Sequence, residues 1–395
     1  MRVPLFDLTR QHALVKEEVV SRVAGLFESQ QFILGPAVGE FELAFRDLLG
    51  AGHAVGMSSG TDAQLAILMA MRIGNGDAVL TTPYTFFATA GCIHRTGAEP
   101  VFVDVEKGTL NLDPARLEEF LETRCTADAD GDLVTPQGNK IRAIIPIHLF
   151  GTCCKMDEIL AIARRHRLTV IEDAAQAVGA EYRGASGTFH AGAIAEMSYF
   201  SFFPTKNLGG AGDGGMAVCR DEEMAARLRL MRNHGMEQRY FHREVGGNFR
   251  LDALQAAVLH AKLPHLAAWN AGRRRNAALY HEAFVSKELR EFLTPPPPPS
   301  PDLENSHIYH QYVIRVRDRD ALMAHLQSVG IGCAIYYPVP LHLQECFAYL
   351  GYKPGDFPVS ETACLESLAL PIFPELRPGE IESAVDAIED FFRIS

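Results

Sequence analysis

Apolar positions along the first third of the chain change their period several times, and each change marks an element. Leu14, Val15, Val19, Val23, Leu26 and Phe27 recur at helical spacing and predict a helix over 14–27. A second amphipathic helix is expected over 38–49, after the turn pair Gly35-Pro36. From residue 53 the pattern becomes one of short apolar runs alternating with helical segments. Strands are predicted over 53–57, 78–81 and 101–105. Between them lie a helix opened by Ser58-Ser59-Gly60-Thr61-Asp62 and running to Met71, and another after Thr82-Pro83-Tyr84-Thr85-Phe86-Phe87-Ala88. Asp113-Pro114 starts a further helix, since proline is tolerated at the first helical position. Continuous apolar runs separated by helices indicate a largely parallel sheet covered on both faces, with ligands gathered at the carboxyl ends of its strands.

The alternation dissolves over 123–140, where Asp128, Asp130 and Asp132 lack the register of a calcium loop, so a solvated surface excursion is expected. It resumes with a buried strand over 141–149 that Gly151 ends and that carries His148 as a packed or hydrogen-bonded histidine. A helix over 157–165 and a strand over 168–171 lead to Glu172-Asp173-Ala174-Ala175-Gln176. The segment 234–252 is polar and rich in arginine, histidine and glycine, and a helix over 253–262 follows it. The run Arg273-Arg274-Arg275 reads as a solvated helix face. Five consecutive prolines within 294–301 make an extended connector. Beyond it, strands at 312–316 and 334–337 and helices at 321–329 and 378–393 predict a small mixed unit. The expected organisation is a large domain over 1–265 and a smaller α+β domain over 266–395.

Composition narrows the function classes. With a formal net charge of −12 the chain lacks the basic excess of a nucleic-acid or membrane-surface binder, so an anionic ligand would need local arginines or backbone amides. The eight cysteines form no CxxC pair, so no metal site is expected and reduced, buried or partly buried thiols are. The start MRVPLFDLTRQH has no signal-like apolar core and no later stretch is long enough to span a bilayer, which together point to the cytoplasm.

The stretch 198–217, SYFSFFPTKNLGGAGDGGMA, delivers one lysine, Lys206, into a glycine-rich loop. Desolvation there would favour the neutral, nucleophilic amine; the other reading is a plain loop lysine. Gly210, Gly212 and Gly215 match G-x-G-x-x-G, but an apolar, strand-like run follows, so no dinucleotide site is inferred. Ser59 or Thr61 could cap the helix they open, or that helix start could bind an anion. Asp173 could be a structural cap or the partner of a protonated cofactor ring nitrogen.

Six stretches, SSGTDAQLA, TPYTFFATA, IPIHLFG, VIEDAAQAVGA, FSFFPTKNLGGAGDGG and GGNFRLDALQAA, occur in an order that resembles the DegT-type nucleotide-sugar aminotransferases, pyridoxal-phosphate enzymes of fold type I. The resemblance covers nearly the whole chain. It implies that Lys206 holds the cofactor aldehyde as a Schiff base and then shuttles the substrate proton. It also implies that Asp173 keeps the ring nitrogen protonated, Gln176 lies near the phenolic oxygen and Phe86 stacks on the ring. Gly60, Thr61 and Ser201 would bind the phosphate together with Asn248 of the partner subunit in a homodimer. Arg250, and Tyr336 and Tyr337 in YYPVPLHLQ, are the implied substrate contacts. Three features depart from the family pattern. Phe249 stands between Asn248 and Arg250 where a serine is usual, 123–140 is longer than the usual link, and Cys153-Cys154 replaces a polar pair.

Because relatives with histidine at the position of Lys206 act as dehydratases, the lysine implies a transaminase. The implied reaction moves an amino group from L-glutamate to a nucleotide-linked keto-sugar, in making an amino sugar for a surface glycan or secondary metabolite. Arg239-Tyr240, His242 and YYPVPLHLQ look closer to the 3-keto branch than to the 4-keto branch. The alternatives are 4-keto transfer, a non-catalytic pyridoxal-phosphate-binding sensory protein, and a nicotinamide-dependent sugar dehydrogenase.

Overall fold

The computed structural model of the chain describes residues 2–394. Its main sheet runs through β1 (His53–Met57), β2 (Asp77–Thr81), β3 (Glu99–Phe102), β4 (Lys140–Ile144), β5 (Thr169–Asp173), β6 (Met197–Ser201) and β7 (Gly215–Cys219). The spatial order is β1-β7-β6-β5-β4-β2-β3. Only β7 runs against its neighbours; β2 to β6 pair in parallel, so the carboxyl ends of β5 and β6 lie on one edge. This is the α/β architecture of fold type I enzymes.

The helices are α1 (Leu8–Ser29), α2 (Pro36–Leu49), α3 (Gly60–Ala70), α4 (Ala88–Arg95), α5 (Pro114–Thr123), α6 (Met156–Arg165), α7 (Glu222–Met231), α8 (Ala253–Lys262), α9 (Leu266–Ser286), α10 (Arg319–Ser328), α11 (Pro358–Glu366) and α12 (Pro378–Ile394). Helix α1 begins well before its apolar period does, because the Asp7 side chain accepts from the Thr9 amide. Its stripe is only half covered: Val15 and Leu26 are buried while Leu14, Val20 and Phe27 are exposed. Helix α2 seats Phe41 and Phe45 edge-on against Phe202 and Phe200, with ring centroids 5.4 and 5.0 Å apart.

Three sequence expectations shift. The strand foreseen over 141–149 stops at Ile144, because Pro146 cannot donate to the ladder and the chain turns through Leu149–Gly151, with Phe150 and Gly151 at φ 56° and 102°. The excursion at 123–140 forms a hairpin, Thr126–Ala127 with Leu133–Val134, docked on β4. At its tip Asp128 Oδ1 accepts from the amides of Asp130 and Asp132, and Asp132 pairs with Lys140. The strand expected over 334–337 reduces to one bridge, Ala334 to Ala369, since Pro338 and Pro340 follow directly.

A second sheet, β8 (Leu293–Thr294), β9 (Tyr312–Val316) and β10 (Ser367–Leu370), is antiparallel and shares a core with α9, α10 and α12. Here the arginine run is corrected. Arg273 is buried and its Nη1 donates to the carbonyls of Tyr309, His310 and Ile372 at 3.1–3.2 Å. Successive helical positions point about 100° apart, so one arginine of three turned inward while Arg275 stayed exposed. All eight cysteines are free thiols, and of these Cys346 is exposed rather than buried.

Asp104 joins the two sheets' surroundings. Its carboxylate accepts from the Val359 and Ser360 amides at 3.0 Å and from Ser360 Oγ at 2.6 Å, at the first turn of α11. Asp104→Ala is expected to lower the unfolding free energy by about 1–2 kcal/mol, read from a urea titration with unchanged slope.

Candidate active site

Asp173 is the last residue of β5, directly opposite Tyr199 on β6. Tyr199 donates its hydroxyl to Asp173 Oδ2 at 2.7 Å, Thr89 of α4 approaches the same oxygen at 3.3 Å, and the Ala175 amide donates to Oδ1 at 3.0 Å. Burial pushes the Asp173 carboxyl up, opposed by Tyr199, Ala175 and the positive charge of Lys206. Glu172 faces the other way and takes amides from Gly192, Ile194 and Ala195. It also meets His148 Nε2 at 2.8 Å, and His148 Nδ1 accepts from the Cys154 amide, so this buried histidine is fully hydrogen-bonded, as its sequence position suggested.

Beyond Ser201 the chain folds into a tight loop. The Phe202 amide donates to Gly214, Gly210 donates back to Phe202, and the Lys206 amide donates to Phe203, each at 2.8 Å. Helix α8 braces the loop: Lys262 Nζ donates to the Gly209 carbonyl at 2.6 Å and Gln255 Oε1 accepts from Ala211 at 2.8 Å. Gly209 has no room for a side chain, as a Cβ would sit 2.2 Å from the Pro204 oxygen. Gly215 opens β7, so the glycine spacing serves a packed loop and a strand rather than a strand-turn-helix. Lys206 Nζ makes no hydrogen bond or ion pair among the described residues. Burial lowers its pKa to about 8, with Asp173 pulling the other way.

At the start of α3, Ser59 Oγ caps the helix by accepting from the Asp62 amide at 3.0 Å. The amides of Gly60 and Thr61 stand in the first turn, where helix geometry offers them no acceptor. A Cβ on Gly60 would lie 2.8 Å from Ser201 Cβ, and one on Gly215 would lie 2.3 Å from the Ser59 carbonyl. This bare meeting of α3, β6 and β7 leaves amides and the Ser201 hydroxyl for an anion such as a phosphate. Phe86 lies one turn before Thr89 and is 62% exposed. Gln176 is buried, with Oε1 accepting from the Phe150 amide at 2.7 Å and Nε2 donating to Tyr337 Oη at 2.8 Å. Tyr336 is partly exposed beside it.

In the chain's own fold Arg250 forms a backbone bridge with Met57 and the Phe249 carbonyl accepts from the Ser58 amide, so this segment lies beside the end of β1, just before α3, while Arg250 Nη1 donates to Asn233 Oδ1 at 2.7 Å. Among the described residues neither Asn248 nor Arg250 bonds to Lys206, Asp173 or Gln176. Phe249 instead packs on the main core. Sequence reading passed over Tyr199, Thr89 and Phe150. Thr89, one helical turn after Phe86, was the one that spacing could have flagged.

A family profile described as DegT/DnrJ/EryC1/StrS aminotransferase matches residues 14–389. The chain belongs to this aminotransferase family. It is 42% identical over 394 residues to the "Pleiotropic regulatory protein" of Geobacillus stearothermophilus, covering 100% of this chain and 99% of that one. It is 40% identical to the UDP-N-acetyl-3-dehydro-alpha-D-glucosamine 3-aminotransferase of Acidithiobacillus ferrooxidans, covering 96% and 95%. Among solved structures it superposes on S. venezuelae DesV, determined in complex with a ketimine intermediate, with a TM-score of 0.89 at 36% identity and 98% coverage of both chains. The DegT-family enzyme is a transaminase that uses pyridoxal 5'-phosphate. Its residues fit that group: a desolvated amine, a buried carboxylate, a bare helix start and an exposed aromatic ring share one edge.

The lowered Lys206 pKa carries a prediction. Incubating cofactor-free protein with pyridoxal phosphate and trapping with borohydride should label Lys206 at a rate that climbs as pH rises through about 8, because only the neutral amine adds to the aldehyde. Peptide mass spectrometry reads the label, and Lys206→Arg should show none at that position.

Proposed function

We propose that this enzyme moves an amino group from L-glutamate to the 3-keto group of a nucleotide-linked sugar, in two half-reactions at one site. The observation that carries the reading is the pairing of Lys206, whose amine is shifted toward neutrality, with Asp173, whose carboxylate is fixed by Tyr199, Thr89 and Ala175. When bound, the cofactor ring supplies the electron sink. Lys206 Nζ takes a proton from the carbon bearing the departing nitrogen and returns one to the neighbouring position. The Asp173 carboxylate, fixed by Tyr199 and Ala175, would hold the proton on the ring nitrogen. Gly60, Thr61 and Ser201 would hold the phosphate, Phe86 would cover the ring and Gln176 would lie near its phenolic oxygen.

A homodimer completes the site in this reading. Asn248 of the partner subunit joins the phosphate and Arg250 of the partner subunit meets the substrate. Supporting this, Asn248 is exposed and makes no hydrogen bond to Lys206 among the described residues, and exposed apolar residues such as Leu14, Phe27, Ile33 and Val245 leave surface for a second copy. Tyr336 and Tyr337 are assigned to the sugar side. The 3-keto assignment is supported by the name of the Acidithiobacillus relative and by Arg239-Tyr240 and His242. The product would be an amino sugar for a surface glycan or secondary metabolite, made in the cytoplasm. No helix among the described residues is long and apolar enough to cross a membrane.

The test is the visible spectrum of the cofactor-loaded protein before and after L-glutamate. The bound-cofactor band should bleach as the amino form accumulates, and a UDP-linked 3-keto sugar should restore it. A band indifferent to glutamate would overturn the donor assignment and favour a regulatory role. Lys206→Ala should abolish both changes, and Asp173→Asn should slow them about a hundredfold or more.

A further inference from the structure

Tyr199 stands mid-strand in β6 among the residues of the main core and is 3% exposed. A phenylalanine would fill that apolar place, so the hydroxyl is the part that needs a reason, because a buried polar group is costly without a partner. Its partner is Asp173 Oδ2 at 2.7 Å, the shortest of the three hydrogen bonds this carboxylate accepts among the described residues. Thr89 reaches the same oxygen at 3.3 Å, with Thr85 Oγ1 3.5 Å behind it, and both threonines are buried. An ionised carboxylate only accepts, so Thr89 spends its one proton on Asp173 and can only accept from Thr85. Hydroxyl protons from β6 and α4 thus converge on a single oxygen.

The other titratable groups facing Asp173 do not share this role. Lys206, in the loop after β6, acts on it as a positive charge and makes no hydrogen bond to it. His148, in the turn after β4, is committed to Glu172 and to the Cys154 amide. Cys92 on α4, Cys154 and Tyr337 are kept as neutral thiols and a neutral phenol by burial. Burial drives the Asp173 carboxyl up, and the bond from Tyr199 is the largest influence opposing it. Burial and the neighbouring carboxylate drive the Tyr199 hydroxyl up as well, so the proton between the two stays on the tyrosine.

We propose that Tyr199 is a positioning residue that holds Asp173 as an ionised carboxylate in the cofactor-free protein, so that the site captures the ring-protonated cofactor at acid as well as neutral pH. The proposal rests on the reading that Asp173 pairs with the ring nitrogen. Without the hydroxyl the carboxyl takes up a proton at a higher pH, and a neutral carboxyl no longer attracts a charged ring. Capture would then fail from the acid side first.

The experiment measures by calorimetry the affinity of the cofactor-free full chain for pyridoxamine 5'-phosphate, which has no aldehyde and leaves Lys206 free, between about pH 5 and pH 8. Asp173→Asn has no carboxyl to titrate there, so referring each affinity to this variant removes the phosphate's own titration. Wild type should bind more tightly than Asp173→Asn by a ratio that persists to the acid end. Tyr199→Phe should stay within about threefold of wild type at the alkaline end and fall about tenfold or more behind it at the acid end, the worth of a hydrogen bond to a charged group. Thr89→Val, which removes the longer bond to the same oxygen, should shift the acid end the same way by less. A Tyr199→Phe curve parallel to that of wild type, weakened equally at every pH, would reduce the residue to packing and overturn the proposal. An acid loss of about tenfold in Thr89→Val with Tyr199 intact would overturn it too, and that arm stands if Tyr199→Phe fails to fold. Equal affinity of wild type and Asp173→Asn would instead overturn the pairing of Asp173 with the ring nitrogen.

Discussion

The hydrogen bond from the Tyr199 hydroxyl to Asp173 crosses from one strand to the next at the edge where the site is built. A carboxylate sunk this deeply would take up a proton or swing toward water unless donors held it. The donors come from three directions: β6 supplies Tyr199, α4 supplies Thr89 and the chain just past β5 supplies the Ala175 amide. The first depends on the strand register that sets Tyr199 opposite Asp173. A slip of one residue would turn Asp173 to the far face and bring Glu172 in its place. Glu172 resists such a slip, because its three backbone amides and His148 tie β5 to the segment around 192–195.

Where local signals dominate, the chain could be read directly. The strands at 53–57 and 312–316 and the helix at 253–262 coincide with their apolar runs and flanking breaks. The carboxyl-edge placement of Asp173 followed from the strand-helix alternation alone, whereas that of Ser201 did not. Their company could not be foreseen in that way. The loop lysine met a carboxylate thirty-odd positions earlier because β5 and β6 are neighbours in the sheet, a fact no window of residues contains. The identity of the reactive groups came from six ordered motifs rather than from periodicity.

The misreadings have separate causes. Arg273 looked like surface because arginines usually are, yet three free carbonyls at 309, 310 and 372 needed a donor and the helix turned one inward. Pro146 was hidden inside an apolar run, and only the missing ladder donor stopped the strand there. Tyr199 carried no local sign at all, since an aromatic in a buried strand is ordinary core until its hydroxyl finds a partner.

The meeting of Gly60, Ser201 and Gly215 bears on how such a protein can diversify. Main chain lies against main chain there, so drift in sequence cannot enlarge, shrink or repaint that corner without pushing the sheet apart. The exposed residues 237–243 and Tyr336 carry no such lock, unlike Tyr337, which is buried and bonded to Gln176. Sequence change can therefore accumulate on that exposed rim while the corner beneath keeps its shape.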